Sequence, residues 1–321
     1  MDTLYDDAVE VLVSDSVIVH RADLLRDLWG AVGRREFRLH YQPIVQLRTG
    51  HTVGVEALVR WQHPQLGLLH PARFLSVAEQ SGSIVALGRW VVEESCSQLA
   101  WWDREYPEMP LTMSINVSVH QLLDSDFAAE TASLLWRRGI DPRRLVMEIT
   151  ESFAACSERA RQQIQRLKAL GVRLAIDDFG TGYSSLSTLR ECPFDIVKID
   201  RTFVAGVARD VRDQQLTHCI IELGHLFGAE VNAEGLEEHE QCVVLGALGC
   251  DFGQGYYFAQ PLDTRSFNAF MHSKCRTFRR GGAPDASPRH LNSGVPAPRF
   301  GYDVPVADRG ERGDVATPGA A

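Results

Sequence analysis

The sequence predicts an α/β barrel, in which a closed and mostly parallel sheet is surrounded by helices. The main observation is a repeated unit of one short apolar strand and one amphipathic helix, which recurs between residues 111 and 271. This many strand-helix units favour a barrel over an open sheet. The second observation is the length of 321 residues with 45% hydrophobic content, which suffices for one barrel domain of about 250 residues.

The chain before the repeats predicts a helix, a hairpin and a long helical stretch. Apolar residues recur at helical spacing within Asp23–Gly33. The strands Tyr41–Leu47 and His51–Trp61 flank the short loop Arg48–Gly50, which predicts that they pair antiparallel. Apolar positions at threes and fours then predict helix over Pro71–Glu105.

The repeated units follow in order, each strand before its helix. The predicted strands are Leu111–Val117, Leu145–Ile149, Val172–Ile176, Phe194–Ile199, Ala229–Ala233 and Gly255–Phe258. The helices that follow them are Ala128–Arg138, Ser157–Leu170, Ser184–Leu189, Gln214–Phe227, Glu237–Leu248 and Thr264–Met271.

The two ends of the chain are expected to lie outside the barrel, which takes residues 23–275. Residues 1–22 are too few for a domain and predict a leader or a docking arm. Residues 276–321 predict a disordered tail, because the 41 residues from Gly281 to Ala321 include 7 Gly and 6 Pro and have almost no apolar periodicity.

Composition narrows the class of protein. A formal net charge of −9 argues against binding a DNA or RNA polymer, although a small nucleotide is still compatible. The seven cysteines are scattered without a C-x-x-C pair, so neither a disulfide framework nor a zinc knuckle is predicted. The sequence has no secretion signal and no apolar run of about 18 residues. We therefore expect a cytoplasmic protein without a membrane anchor.

Two adjacent acids stand where a buried strand is predicted to end. Asp177 and Asp178 follow the apolar run Val172–Ile176, and Gly180 and Gly182 supply a turn. Successive strand side chains point to opposite faces, so adjacent acids are expected to share a site only where the backbone turns. Taken alone, the pair is explained equally well by ordinary loop chemistry.

Other predicted strands also carry acids or amides near their carboxyl ends, which meet at one mouth of a barrel. Each residue alone is explained as a turn, ion-pair or capping residue. Together, six carboxylates would repel one another unless cations lie between them. Oxygen ligands favour Mg²⁺ or Mn²⁺ over zinc, which predicts a two-metal hydrolase. The residues are Glu56, Asn116, Glu148, Asp177, Asp178, Lys198, Asp200 and Glu234.

Eight short motifs occur in order along the chain. They are Tyr41–Val45, Glu56–Trp61, Ile115–Ser118, Glu148–Ser152, Asp177–Ser185, Lys198–Arg201, Ala233–Glu237 and Gln254–Tyr256. In this order and spacing they resemble the EAL-domain phosphodiesterases of the bacterial second messenger cyclic di-GMP. The resemblance covers residues 23–271. It implies a modified TIM (β/α)8 barrel with an antiparallel first strand, in agreement with the predicted hairpin.

The resemblance also implies two bound ions, Mg²⁺ or Mn²⁺. One ion is expected to be bound by Glu56, Asn116, Glu148 and Asp177. Asp177 is expected to bridge to the second ion, with Asp178 as a further ligand and Asp200 beside it.

The remaining roles that the resemblance implies concern water, substrate and loop. Lys198 matches a lysine that contacts the nucleophilic water, and Glu234 matches the glutamate proposed as general base. Glu237 matches a glutamate that steadies the loop Phe179–Ser185. The positions expected to contact cyclic di-GMP are Gln42, Arg60 and Gln254.

Two positions depart from the family pattern. Asn232 stands where an aliphatic residue is common, two residues before Glu234 and therefore on the same face of its strand. It is either a hydrogen-bonding residue of the site or a tolerated polar core residue. Cys192 stands where leucine is usual and is interpreted as a small buried hydrophobe.

The implied activity is hydrolysis of cyclic di-GMP to linear pGpG. The alternatives are a non-catalytic cyclic di-GMP receptor and a protein-docking module that works through the leader and the tail. The presence of every expected metal ligand favours the enzyme. The sequence shows no sensor or cyclase domain, so regulation is expected to come from expression or from an unidentified partner. A homodimer, which related barrels often form through helices beside the Phe179 loop, stays open.

Overall fold

The structure is a computed structural model that describes residues 10–14, 17–150, 157–180 and 194–279. Its strands are β1 (Glu10–Ser14), β2 (Val17–His20), β3 (Phe37–Gln46), β4 (Thr52–His63), β5 (Gly67–Leu69), β6 (Thr112–Asn116), β7 (Leu145–Thr150), β8 (Arg173–Phe179), β9 (Ile196–Ile199), β10 (Glu230–Ala233) and β11 (Phe252–Gly253).

Helices follow the strands from β6 onward, as the repeated units predict, except between β8 and β9, where residues 181–193 lie outside the described part of the chain. The helices are α1 (Arg21–Leu28), α2 (Leu75–Ser81), α3 (Ser83–Glu105), α4 (Val119–Leu122), α5 (Phe127–Arg138), α6 (Glu158–Leu170), α7 (Arg201–Val204), α8 (Val211–Leu226), α9 (His239–Ala247) and α10 (Thr264–Arg279).

Eight of the described strands close into a barrel. Hydrogen bonding runs in the order β3-β11-β10-β9-β8-β7-β6-β4, and a further pairing of β3 with β4 completes the ring. β3 is antiparallel to both of its neighbours, whereas the other adjacent barrel strands are parallel. The (β/α)8 barrel with an antiparallel first strand is therefore confirmed, and Gly50, at a φ of 70°, lies in the hairpin loop between β3 and β4.

Three element predictions are corrected. The helical stretch Pro71–Glu105 is divided into a 3-10 turn, α2 and α3, because Gly82 adopts a left-handed φ of 74° that ends α2. The strand predicted over Gly255–Phe258 is wrong, since β11 is Phe252–Gly253 and residues 256–258 form a turn. A Cβ on Gly255 would lie 2.1 Å from the carbonyl oxygen of Leu236, so glycine permits a close approach of two backbones there.

The third correction concerns the acid pair, which lies inside β8 instead of after it. β8 continues through Asp177 and Asp178 to Phe179. Its register with β9 shifts between Ile176 and Phe179, and Asp178 has a φ of 54°. A bulge of this kind re-aims side chains without ending the strand.

Apolar side chains fill both the space under the helices and the interior of the barrel. The larger cluster packs the helices against the strands, with residues such as Leu99 and Leu167 fully buried. A small separate cluster consists of Val146, Ala175 and Ile196, which lie on neighbouring strands. This cluster forms an apolar layer directly below the residues at the barrel mouth.

Candidate active site

Lys198 lies at the centre of four carboxylates near the carboxyl ends of the strands. Its side chain is 2% exposed. Its Nζ lies 2.6 Å from Oε2 of Glu148, 2.6 Å from Oε1 of Glu234, 3.0 Å from Oδ1 of Asp177 and 3.9 Å from Oε2 of Glu56. These five residues are called the Lys198 cluster. Four of the six predicted acids are thus brought together around one ammonium.

The charges in the Lys198 cluster shift one another's titration. Burial opposes the charge on Lys198, but the surrounding carboxylates outweigh it and raise the pKa of Lys198 well above its ordinary value. Burial and the Glu56 charge raise the pKa of Glu148 well above its ordinary value, although Lys198 opposes this. Burial also raises the pKa of Glu234 to about 8, against the opposing effect of Lys198. One ammonium therefore does not balance the acids that surround it.

Glu56 accepts hydrogen bonds from two amides, and a third amide positions one of them. Its Oε1 accepts a hydrogen bond from Nδ2 of Asn116 at 2.8 Å, and its Oε2 accepts one from Nε2 of Gln254 at 2.6 Å. The same Nε2 donates to Oε1 of Gln42 at 2.9 Å. The two glutamines that were predicted to contact substrate therefore also position Glu56, a role that the sequence motifs did not reveal.

Asp178 and Asp200 lie at the rim, outside the Lys198 cluster. Asp178 is exposed, and burial together with Asp177 and Asp200 raises its pKa. Asp200 caps α7 by accepting hydrogen bonds from the backbone and hydroxyl of Thr202. Burial opposes the ionisation of Asp200, but the hydrogen bonds from Thr202 outweigh it and lower the pKa of Asp200.

Arg60 supplies a second buried cation on the strand that carries Glu56. It is 5% exposed, and its Nη1 donates to the carbonyl of Val59 at 2.8 Å. Within the described part of the chain, its Nε has no hydrogen-bond partner. Burial lowers the pKa of Arg60, although Glu56 and Tyr256 oppose this. A buried guanidinium with an unused donor is suited to an anionic ligand.

A cavity of about 500 Å³ adjoins the Lys198 cluster. One wall is polar and includes Glu56, Asn116 and Glu148, while the opposite wall is apolar and comes from α2 and α3. A volume of this size is suited to a small ligand with an aromatic portion and a charged portion. Its apolar wall includes Leu75, Leu87 and Val91.

The donor set fits Mg²⁺ or Mn²⁺ by its chemistry, since its carboxylate and amide oxygens are the ligands that these ions prefer. Four of the carboxylates already lie within 4 Å of one ammonium, so they converge on a single cation. Among the described residues, however, no three His, Cys, Asp or Glu side chains are grouped as a ready metal cage. The ammonium of Lys198 lies between the four carboxylates instead.

Glu237 is exposed at the end of the segment that follows Glu234. Its backbone N–H donates to Oε1 of Gln241 at 2.8 Å, which fixes the start of α9. Most of the loop Phe179–Ser185, which Glu237 is expected to steady, lies outside the described residues. The same holds for Cys192, the predicted helix Ser184–Leu189, residues 1–9, 15 and 16 of the predicted leader, and the tail from residue 280 onward.

Comparisons with known proteins identify the family that shares these features. The EAL domain family model matches residues 25–261. A cyclic di-GMP phosphodiesterase of Pseudomonas aeruginosa is 41% identical over 241 residues, which cover 74% of this chain and 41% of that protein. MucR of the same organism, a bifunctional diguanylate cyclase/cyclic di-GMP phosphodiesterase, is 40% identical over 241 residues, which cover 74% of this chain and 35% of MucR.

The fold comparison agrees. The solved MucR phosphodiesterase in complex with cyclic di-GMP superposes with a TM-score of 0.71 at 37% identity, covering 76% of this chain and 99% of that one. The matched segment spans only 30% to 41% of the length of the first curated relatives. None of the helices that the structure describes combines the length and the apolar character of a membrane span.

Proposed function

The chain belongs to the EAL domain family, and on that premise we propose that it hydrolyses cyclic di-GMP to linear pGpG with two Mg²⁺ or Mn²⁺ ions. The reaction adds one water across one of the two phosphodiester bonds and leaves a 5′-phosphate and a 3′-hydroxyl. The observation that carries the proposal is the Lys198 cluster, which concentrates four acids beside a ligand-sized cavity.

The ions would be held by the oxygens at the mouth. The first set is Glu56, Asn116, Glu148 and Asp177, and the second is Asp177, Asp178 and Asp200. When bound, the ions supply Lewis-acid polarisation of the phosphoryl oxygens and a lowered pKa for a coordinated water. Asp178 is exposed and Asp200 is half-buried at the rim, outside the Lys198 cluster.

Glu234 is the residue proposed to take the proton from the attacking water. Its side chain is 23% exposed, so a water molecule can reach it, whereas Glu148 is 1% exposed. Burial raises its pKa to about 8, and a carboxylate whose pKa is raised toward neutral pH is a stronger base than an exposed one. Lys198, 2.6 Å from Glu234, stabilises the negative charge that develops on the phosphoryl group.

Substrate binding is proposed to use the buried Arg60 and the apolar wall of the cavity. Arg60 has an unused Nε donor, and a guanidinium binds phosphate oxygens in a fixed geometry. Gln42 and Gln254 add amide groups to the same side of the mouth. The apolar residues of α2 and α3 offer a surface for a guanine base.

The test is incubation of the purified chain with cyclic di-GMP and Mg²⁺ or Mn²⁺, followed by chromatographic detection of pGpG. Release of pGpG that is lost in Glu56→Gln supports the proposal. The surface variant Glu130→Gln, which changes an exposed acid of α5, serves as the matched control and should retain turnover. Binding without turnover would instead identify a receptor, and neither binding nor turnover would favour a docking module.

A further inference from the structure

Lys198 occupies the position of a cation among residues that are proposed to hold metal ions. Its Nζ lies within 3.0 Å of oxygens from Glu148, Glu234 and Asp177. Like charges repel, so an ion that binds these oxygens displaces the ammonium or weakens its contacts. An ammonium has three donors and no acceptor, and it is buried here. Metal binding at Glu148 and Asp177 therefore leaves Lys198 with Glu234 and favours a further acceptor nearby.

Asn232 is a polar residue at a position along its strand, two residues before a mouth residue, that is apolar on three other barrel strands. On β7, β8 and β9, the residues two positions before Glu148, Asp177 and Lys198 form the buried apolar cluster of Val146, Ala175 and Ile196. The corresponding residue before Glu234 on β10 is Asn232, which is 3% exposed. The side chain of Asn232 therefore points into the interior of the barrel, below Glu234.

The carbonyl oxygen of Asn232 has no hydrogen-bond partner in the described part of the chain. Burying an amide oxygen without a partner is unfavourable, and an aliphatic residue of similar volume would avoid that penalty. Asn232 pairs in register with Lys198 across the parallel β9 and β10. Neighbouring strands are about 4.8 Å apart, so side chains on the same face of a register pair can contact each other.

We infer that Asn232 is a positioning residue. Its Oδ1 accepts a hydrogen bond from the Lys198 ammonium when ions bind the carboxylates of the Lys198 cluster. Lys198 then has two arrangements: without ions it lies among the four acids, and with ions it stays beside Glu234 and directs one N–H toward Asn232. This inference rests on the proposed function, because it needs the two ions. It also explains why the buried amide oxygen of Asn232, beside Lys198, has no hydrogen-bond partner among the described residues.

The test compares the metal-induced increase in melting temperature of Asn232→Leu with that of the wild type, using the full chain and a titration of Mn²⁺ alone. Without its alternative acceptor, Lys198 stays among the acids and competes with the ions. We expect Asn232→Leu to melt at the same or a higher temperature than wild type without Mn²⁺, and to require about tenfold more Mn²⁺ for half of its increase.

Two further variants separate this role from a general packing effect. Asn232→Asp keeps the shape and the acceptor and should keep the Mn²⁺ response. Thr52→Val removes another buried oxygen without a partner, at the opposite end of β4 from the mouth, and should leave the Mn²⁺ response unchanged.

An equal Mn²⁺ response in Asn232→Leu and wild type, or a weakened response in Thr52→Val of the same size, would overturn the inference. If the wild type itself shows no Mn²⁺ response, the proposed metal site fails as well. The wild-type titration therefore distinguishes failure of the inference from failure of the proposed function.

Discussion

Glu36 and Glu148 are both buried glutamates beside a cation, yet their surroundings shift their pKa values in opposite directions. Glu36 accepts hydrogen bonds from Nε of Arg34 at 2.6 Å and from the indole N–H of Trp61 at 2.9 Å. The hydrogen bond from Arg34 holds the pKa of Glu36 below its ordinary value, in spite of burial. Glu148 shares Lys198 with three other acids, and its pKa is raised.

The difference separates a structural acid from a functional one. Around Glu36 each acceptor has a donor, and the charge is balanced locally. Around Lys198 the acids exceed the cation, and the excess negative charge is removed either by protonation, as the raised pKa values of Glu148 and Glu234 indicate, or by further bound cations. A buried acid therefore indicates a ligand site when its neighbours leave it poorly compensated.

The largest effect that tests this contrast is expected on turnover. Glu56→Ala or Asp177→Ala removes a proposed metal ligand, and the rate of pGpG release should fall by on the order of 10³-fold. Each substitution also relieves like-charge repulsion, so the melting temperature without metal should not fall. Hydrolysis at the wild-type rate in both variants would refute the metal assignment.

A smaller effect is expected where a residue supports a ligand without being one. Glu237→Ala should lower the rate by loosening the site around Asp178, and added Mg²⁺ or Mn²⁺ should restore part of that rate by mass action. Asp178→Ala lacks the ligand itself and should recover far less. Steady-state assays over a metal titration measure both variants, and equal recovery would contradict the supporting role of Glu237.

The substitution Glu36→Gln tests the structural half of the comparison between Glu36 and Glu148. It should lower the stability of the protein and leave turnover unchanged. A lowered pKa in the folded protein stabilises it above the ordinary value of 4.5, and this stabilisation is lost as the pH falls through the lowered value. We expect Glu36→Gln to lose about 1–2 kcal/mol of unfolding free energy at pH 7.

Denaturant unfolding at several pH values checks this expectation. The stability difference between wild type and Glu36→Gln should shrink as the pH falls below 4.5. A difference that is independent of pH would show that the charge of Glu36 is not what stabilises the protein.

The smallest effect is expected from a change at the tail, which leaves both Glu36 and Glu148 in place. Deleting residues 281–321 should leave both the rate of pGpG release and the melting temperature nearly unchanged, because a segment so rich in Gly and Pro buries little surface. Calorimetry of the truncated chain beside the full chain measures this, and a clear fall in melting temperature would show that the tail packs on the barrel.

The barrel and the grouping of four acids with Lys198 could be predicted, because both follow from local sequence patterns. The hairpin follows from two strands and a short glycine loop, and Glu148 and Lys198 follow from their places near strand ends. The bulge at Asp178 and the close approach of Gly255 to Leu236 could not be predicted, since each depends on a partner segment distant in sequence.

Side-chain partners were the least predictable part of the site. The motifs indicated that Gln42 and Gln254 belong to the mouth, but a motif does not show which acid an amide will hold. Likewise, Asp200 was expected beside an ion and is found capping α7. Such choices depend on distances of a few tenths of an ångström, which spacing along the chain does not specify.

The direction of β3 has a consequence for how the barrel is joined to other parts of a protein. Phe37, the first residue of β3, pairs with Trp61 near the end of β4, so the chain enters the barrel on the side where the parallel strands end. In a barrel whose strands are all parallel, the chain would enter from the opposite side. Any segment placed before Phe37 is therefore delivered to the side of the candidate active site, where its movement can reach the mouth without passing through the sheet.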